Sequence, residues 1–300
     1  TNYTIAGFPK DFTTADVNND GHLDVINTQW GSIHIFLGNG TGAVQTPPII
    51  YQPTPSPTSR FTSTVAKDFN GDGNVDLAIS TQNLYPSFLY IRFGNGNGTF
   101  NDTQTFSVNN VEFFKLFDVD LNNDGRIDLV APAGDDDFSS IFFGTANGTF
   151  SQPVNGPRIN SFEPQFIDLN NDGFKDIYSV GRGDSIQYFF NNGQGGFGLP
   201  TTIPLNLPSG FSIGAGRAAD FTGDGILDAV ALTNYPDIRI FRGISSTSFE
   251  HTQTIPLFGY ANGLRVSDFN TDGLPDFIVA GGDSSSMFLY INKCGSTQLN

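Results

Sequence analysis

Little in this chain equips it for catalysis. Its 300 residues include three histidines (His22, His34, His251), three glutamates (Glu112, Glu163, Glu250) and one cysteine, Cys294. None of these falls into a nucleophile–base grouping, so the chain is not expected to be an enzyme. A lone cysteine excludes an internal disulfide framework and leaves a free thiol, or a partner outside this sequence. Basic residues are scarce, 14 against 30 acidic, for a formal charge of −16. With no basic stripe to neutralise phosphates, nucleic acid is not an expected partner. No apolar run approaches the ~18 residues of a membrane-spanning helix. A charged-then-apolar leader is also missing, and a processed chain beginning at Thr1 would account for that.

What is present is repetition. The phrase Asp-x-Asn-x-Asp-Gly-x-x-Asp recurs in six copies, one of them with threonine for the asparagine, at intervals of 48 to 52 residues, starting at Asp16, Asp68, Asp120, Asp168, Asp220 and Asp268. The first copy offers Asp16, Asn18, Asp20 and Asp24, with Gly21 permitting the bend and the His22 carbonyl as a natural backbone ligand. Such a set of oxygens suits Ca²⁺, which takes six to eight hard donors at roughly 2.3–2.6 Å. The equivalent donors are Asp68, Asn70, Asp72, Asn74 and Asp76, then Asp120, Asn122, Asp124, Arg126 and Asp128. They recur as Asp168, Asn170, Asp172, Phe174 and Asp176, and as Asp268, Asn270, Asp272, Leu274 and Asp276. At the seventh loop position (His22, Asn74, Arg126, Phe174, Ile226, Leu274) the donor is the backbone carbonyl. The fifth copy, Asp220, Thr222, Asp224, Ile226 and Asp228, replaces the amide by a hydroxyl and is expected to bind most weakly.

An EF-hand begins similarly but requires a bidentate Glu at its twelfth position. Here those positions are Asn27, Ile79, Ala131, Ser179, Ala231 and Val279, which excludes it. The plainer alternative is an Asx-rich turn without metal. Six matched acidic loops favour about six structural Ca²⁺, since crowded carboxylates without a cation would repel one another. Eighteen of the thirty acids lie in these loops, so the acidity is mainly metal-binding capacity. Sites of this kind suit millimolar extracellular calcium, and a secreted or cell-surface location is expected. Five Asn-x-Ser/Thr sequons, at Asn2, Asn39, Asn97, Asn101 and Asn147, are acceptors if the route is eukaryotic secretion. Three of these fall in a recurring Asn-Gly-Thr turn that the repeat itself can explain.

Around each loop the units share four short stretches. One leads into the loop (Phe12–Asp16, Leu264–Asp268), and a buried-strand pattern follows it (Leu23–Thr28, Val75–Ser80, Ile127–Ala131, Asp176–Val180, Leu227–Leu232, Pro275–Ala280). A third stretch is aromatic and β-branched (Ile33–Leu37, Phe88–Phe93, Ser140–Phe143, Ile186–Phe190, Ile238–Phe241, Met287–Ile291). A glycine-rich turn then leads to a more polar fourth, as in Gly94–Phe100, Gly144–Phe150 and Gly193–Phe197. Length and composition favour strands over helices throughout. Four strands every ~50 residues predict an all-β, six-bladed β-propeller spanning 1–300 as one domain. Thr4–Phe8 matches Thr254–Phe258, so the N-terminal strand is expected to complete the sixth blade. Seven blades would need an unmarked repeat, and a curved solenoid would need capping repeats.

The units resemble the FG-GAP or VCBS repeats of the integrin α-subunit propeller and of many secreted bacterial and fungal propellers. The resemblance rests on the six loops and on Phe93–Phe100 and Phe143–Phe150, and it covers essentially the whole chain. It implies the fold and calcium more than any ligand, because the family serves adhesion, lectins and parts of enzymes. Integrin propellers have seven blades of which only some carry calcium, whereas this chain has six near-intact copies.

Ligand recognition is expected on the less repetitive face, at the hairpins between second and third strands and at the connections between blades. Candidates are Trp30, Tyr85, Arg182, Asp184, Tyr235 and Tyr260, with Asp135–Asp137, Asp283, Arg158 and Tyr51–Ser59 nearby in the same kinds of segment. Trp30 and the tyrosines could stack on sugar rings, although scattered exposed aromatics need no explanation. The Arg-Gly-Asp within Gly181–Ser185 is accounted for by turn chemistry. A carboxylate pair drawn from the hairpin aspartates could hydrolyse glycosides, but three consecutive Asp more simply make a solvated turn. The expected function is a secreted, calcium-binding module for glycans or glycoproteins, lectin-like or adhesive. The alternatives are an enzyme or accessory domain acting on polysaccharide, and a structural module linked to further domains.

Overall fold

A computed structural model describes residues 9–52, 60–82, 86–109, 111–133, 138–159, 161, 163–181, 184–245, 248–257, 259, 261–281 and 287–293. The described residues form strands, turns and loops with no helix. The first sheet runs β1 (Pro9–Ala15), β2 (Asp24–Gln29), β3 (Ser32–Phe36) and β4 (Ile49–Tyr51). The second is β5 (Phe61–Lys67), β6 (Asp76–Thr81), β7 (Ser87–Gly94) and β8 (Phe100–Val108). The third is β9 (Phe117–Val119), β10 (Asp128–Ala131), β11 (Ser140–Phe142) and β12 (Val154–Asn155). In the fourth are β13 (Gln165–Ile167), β14 (Asp176–Gly181), β15 (Ser185–Phe189) and β16 (Thr201–Pro204). The fifth has β17 (Ile213–Ala219), β18 (Asp228–Thr233), β19 (Asp237–Ser245) and β20 (Ser248–Pro256). The sixth has β21 (Ala261–Ser267), β22 (Asp276–Gly281) and β23 (Met287–Tyr290).

Each sheet is an antiparallel meander in chain order, and the fold is an all-β, six-bladed β-propeller. Five sheets have four strands and the sixth has three among the described residues. The N-terminal strand expected to complete it, Thr4–Phe8, lies outside those residues. The glycine-rich segments after the third strands are the turns themselves, and the fourth strands start at or beyond their last residue, as β8 does at Phe100. Chain contacts group the sheets into two compact units, Thr1–Arg158 with Gly193–Gly195, and Ile159–Asn192 with Gly196–Asn300.

Within each unit the core lies between neighbouring sheets, and side-chain parity decides which interface a residue joins. All six residues of β6 are buried. Leu77 and Ile79 pack with Ile26, Ile33 and Ile35 of the first sheet. Ala78 points the other way, into a cluster with Leu129, Phe142 and Phe113. In the other unit Val230 and Leu232 of β18 face Phe277 and Val279 of the sixth sheet. Ala229 and Ala231 face Tyr178 and Val180 of the fourth. A strand buried on both faces loses the polar–apolar alternation of a half-exposed one. Each large aliphatic side chain so buried contributes about 1.5–3 kcal/mol before entropy is counted.

Candidate metal centres

Every repeat phrase forms the loop between the first two strands of its sheet. The pairs Ala15↔Asp24, Lys67↔Asp76, Val119↔Asp128, Ile167↔Asp176, Ala219↔Asp228 and Ser267↔Asp276 close the six loops. In the first, Asp16 Oδ1 accepts the Asp20 N–H at 3.1 Å and Oδ2 accepts the Gly21 N–H at 2.7 Å. Asp20 Oδ1 accepts the His22 N–H at 2.9 Å, and the Asn18 amide bonds Asp20 through both its oxygen and its nitrogen. Two residues per loop are left-handed. Gly21 (φ 85°) is one, and the fourth loop position is the other: Asn19, Gly71, Asn123, Asn171, Gly223 and Thr271. The sequence reading marked only the glycine of the motif.

The last aspartate of each phrase has a second role that the sequence alone did not reveal. Asp24 is fully buried, and its carboxylate accepts the Val17 N–H at 2.9 Å and the Gly38 N–H at 2.7 Å. Asp76 does the same for Phe69 and Gly94, and Asp128 for Leu121 and Gly144. Asp176 takes Leu169 and Asn191, Asp228 takes Thr222 and Gly243, and Asp276 takes Phe269 and Asn292. Each carboxylate therefore latches the end of the third strand to the loop. Burial raises the pKa of Asp24, Asp76, Asp176 and Asp228, with the other carboxylates of each loop adding repulsion, and it pushes Asp128 up to about 6. By contrast, Asp20, Asp224 and Asp268 are held below the usual range by N–H donors.

Among the described residues no three His, Cys, Asp or Glu side chains close on a common point as a metal cluster. The first and second acids are occupied with loop N–H groups and the last with its latch. The residues nonetheless fit a hard cation. Every donor is oxygen, and two accepted hydrogen bonds leave a carboxylate about two further lone-pair sites. A divalent ion would also offset the burial and like-charge repulsion that together raise Asp24, Asp76, Asp128, Asp176 and Asp228.

The loops are not equivalent. Arg126 in the third and Arg242 beside the fifth pair with the second acid of their loops, Asp124 and Asp224. The fifth loop has Thr222 in place of asparagine as well, so two features set it apart from the others. In the first unit adjacent loops touch: Asn19 Nδ2 donates to Asn74 Oδ1 at 2.8 Å, and the Gly98 N–H donates to the Val17 carbonyl at 2.9 Å. The His22 ring lies against Gly40 in the turn after β3.

Of the ligand candidates, Tyr85, Arg182 and Tyr260 lie outside the described residues, as do Asp135–Asp137, Asp283, Asn2 and Cys294. Asp184 immediately precedes β15, and its carbonyl accepts the Leu205 N–H at 2.7 Å. Tyr235 is 46% exposed and stacks on Phe211 with ring centroids 4.0 Å apart. Arg239 lies over that Phe211 ring. Trp30 is 43% exposed, with Lys10 and Arg60 over its ring, so cations already occupy the surface expected to stack on sugar. The Asn39, Asn97 and Asn147 side chains accept bonds from threonines of their own turns. Asn101 Nδ2 donates to Asn95 Oδ1.

A profile of the FG-GAP-like repeat matches residues 16–79, 120–179, 168–231 and 220–279, more than half the chain, and the chain belongs to that family. It is thus a β-propeller of FG-GAP-like repeats. Mouse phosphatidylinositol-glycan-specific phospholipase D is 30% identical over 156 residues, which are 41% of this chain and 18% of that protein. The human protein of the same name is 26% identical over 195 residues, 53% of this chain and 22% of that one. The chain spans about a fifth of the length of these curated relatives. An Agrocybe aegerita lectin, solved for its specific recognition of non-reducing terminal N-acetylglucosamine, superposes with a TM-score of 0.64 at 17% identity. That match covers 97% of this chain and 79% of the lectin. BBS1N, solved with ARL6DN, gives 0.60 at 12% identity, over 99% and 83% of the two chains. Both structural likenesses concern the fold alone.

Proposed function

We propose that this chain is a secreted, calcium-stabilised binding module whose ligands are glycans or glycoproteins. The observation that carries the glycan reading is the exposed Tyr235, backed by Phe211 and flanked by Asn234. Such a platform suits a sugar's C–H face, while polar neighbours suit its hydroxyls. The calcium reading rests on six oxygen-donor loops, in five of which burial disfavours the ionised last carboxylate (Asp24, Asp76, Asp128, Asp176 and Asp228). The lectin of like fold is consistent with sugar recognition on this scaffold. The test is a glycan array in calcium buffer, including N-acetylglucosamine-terminated glycans, followed by Tyr235→Ala. Binding without turnover that Tyr235→Ala removes supports the reading, and depolymerisation of an arrayed glycan would replace it with an enzyme. A second reading, a propeller domain serving a larger enzyme, is favoured by the phospholipase D matches. It predicts a ligand carried by that enzyme's substrate rather than hydrolysis by this chain.

A further inference from the structure

We propose that Asn234 is the positioning residue of the Tyr235 platform, fixing the stacking surface before any ligand arrives. The inference rests on the glycan reading above and names the residue that gives that site its shape. Two segments assemble the platform: the connection between β16 and β17, which carries Phe211, and the β18–β19 hairpin, which carries Tyr235. Asn234 joins them. Its backbone N–H donates to the Ser212 carbonyl and its Oδ1 accepts the Ser212 N–H, both at 2.9 Å. Its Nδ2 donates to the Gly210 carbonyl at 3.0 Å. The connection is thus held on both sides of Phe211. One side chain must accept from one backbone group and donate to another, which an amide does and a carboxylate cannot.

Both segments are shaped to meet it. The Phe211 N–H donates to the Pro208 carbonyl at 3.0 Å, across Gly210 at φ 86°. Glycine supplies that left-handed value at the third position of a type II turn. In the hairpin, the Tyr235 N–H donates to the Thr233 hydroxyl at 3.2 Å, and the Tyr235 carbonyl accepts the Asp237 N–H at 2.7 Å. Held this way, the Phe211 ring has the Tyr235 ring 4.0 Å and the Arg239 guanidinium 4.4 Å from its centroid. Two groups so close cannot share one face, so Phe211 is the middle of three layers and Tyr235 the outer one. Asp237 pairs with Arg239 at 3.4 Å beneath it. A surface already in its binding geometry loses little ordering entropy on association. Asn234 supplies the geometry, and the tyrosine ring makes the contact.

The test has a ligand-free arm and a binding arm, both on the intact protein in calcium buffer. Without ligand, NMR ring-current shifts of Phe211 and Tyr235 report the stack. Asn234→Ala should move those signals towards their unstacked positions while the amide signals of β18 and β19 stay in place. Calorimetry with the arrayed glycan that binds the parent best should then show one site, about tenfold weaker, with a less favourable entropy of binding. Asn234→Asp keeps the acceptor for Ser212 and loses the donor to Gly210, so it should fall between the two. A merely structural role would lower the fraction of competent protein and leave the Kd of what binds unchanged, and that pattern overturns the proposal. A stack that survives Asn234→Ala, or one lost with no change in affinity, overturns it as well. If Asn234→Ala does not fold, parent-like stacking and affinity in Asn234→Asp are the overturning result. Binding lost in Tyr235→Ala but parent-like in Asn234→Ala overturns it with the glycan reading intact. Absence of binding to any arrayed glycan removes both.

Discussion

The first and fifth loops begin with the same acid and end with the same buried carboxylate, yet their middles differ. In the first, Asn18 and Asp20 bond one another, and among the described residues no arginine is paired with them. In the fifth, Thr222 stands where the amide should be and Arg242 holds Asp224 at 3.0 Å. The ends are common because the sheet needs them: Asp24 and Asp228 both latch the third strand to the loop. The middle varies because its backbone N–H bonds stay within the loop, as from the His22 N–H to Asp20 and from the Ile226 N–H to Asp224. One motif therefore contains a folding element and a ligand set that can be separated.

Chelation tests that separation most severely. Each site held at a hundred times its Kd adds about 2.7 kcal/mol, so removing divalent ions should lower the Tm more than any single substitution. Identical melts with and without calcium would abolish the ligand half of the comparison. Next, Asp24→Ala orphans two buried N–H groups and should cost about 3 kcal/mol even in the absence of calcium. Asp16→Ala should destabilise mainly in calcium, and denaturant melts in both buffers distinguish the two. The pH response follows from the same acids. Asp128 binds its proton more tightly when folded, so the metal-free protein gains stability as pH falls from 7 through about 6 towards the unfolded value near 3.8. That gain is lost again as pH rises through the folded value. Protons compete with the cation over this window, so the Tm gap between calcium and chelator should narrow. A gap that widens on acidification would contradict it.

Smaller effects sharpen the contrast between loop middles. Thr222→Asn with Arg242→Gln should tighten the fifth site by about tenfold, or ~1.4 kcal/mol, in a calcium titration. No change would mean that neither residue limits that loop. Thr271 is a β-branched residue at φ 63°, a conformation that asparagine tolerates better. Thr271→Asn should therefore stabilise the sixth loop by about 0.5–1 kcal/mol in a thermal melt.

Much of the fold was legible because it depends on local chemistry repeated many times. Loop spacing gave the number of blades, and short apolar stretches gave the second and third strands. The role of the last aspartate was not legible, because its partners Val17 and Gly38 are backbone groups with no residue signature. Arg242 escaped notice because its pairing with Asp224 depends on how β19 runs back past the loop. Lys10, Trp30 and Arg60 meet only through packing of the first two sheets. Glycine at the sixth loop position announces its backbone requirement, while asparagine or threonine at the fourth conceals the same one.

The bond from the Gly98 N–H to the Val17 carbonyl has a consequence for how the first unit would load. Val17 directly follows the first acid of its loop, and Gly98 belongs to the turn of the next sheet. An ion settling beside Asp16 would stiffen the seat of that turn, and the Asn19–Asn74 bond carries the same restraint into the second loop. On the calcium reading, neighbouring sites here are cooperative, and their filling curve is steeper than independent sites would give.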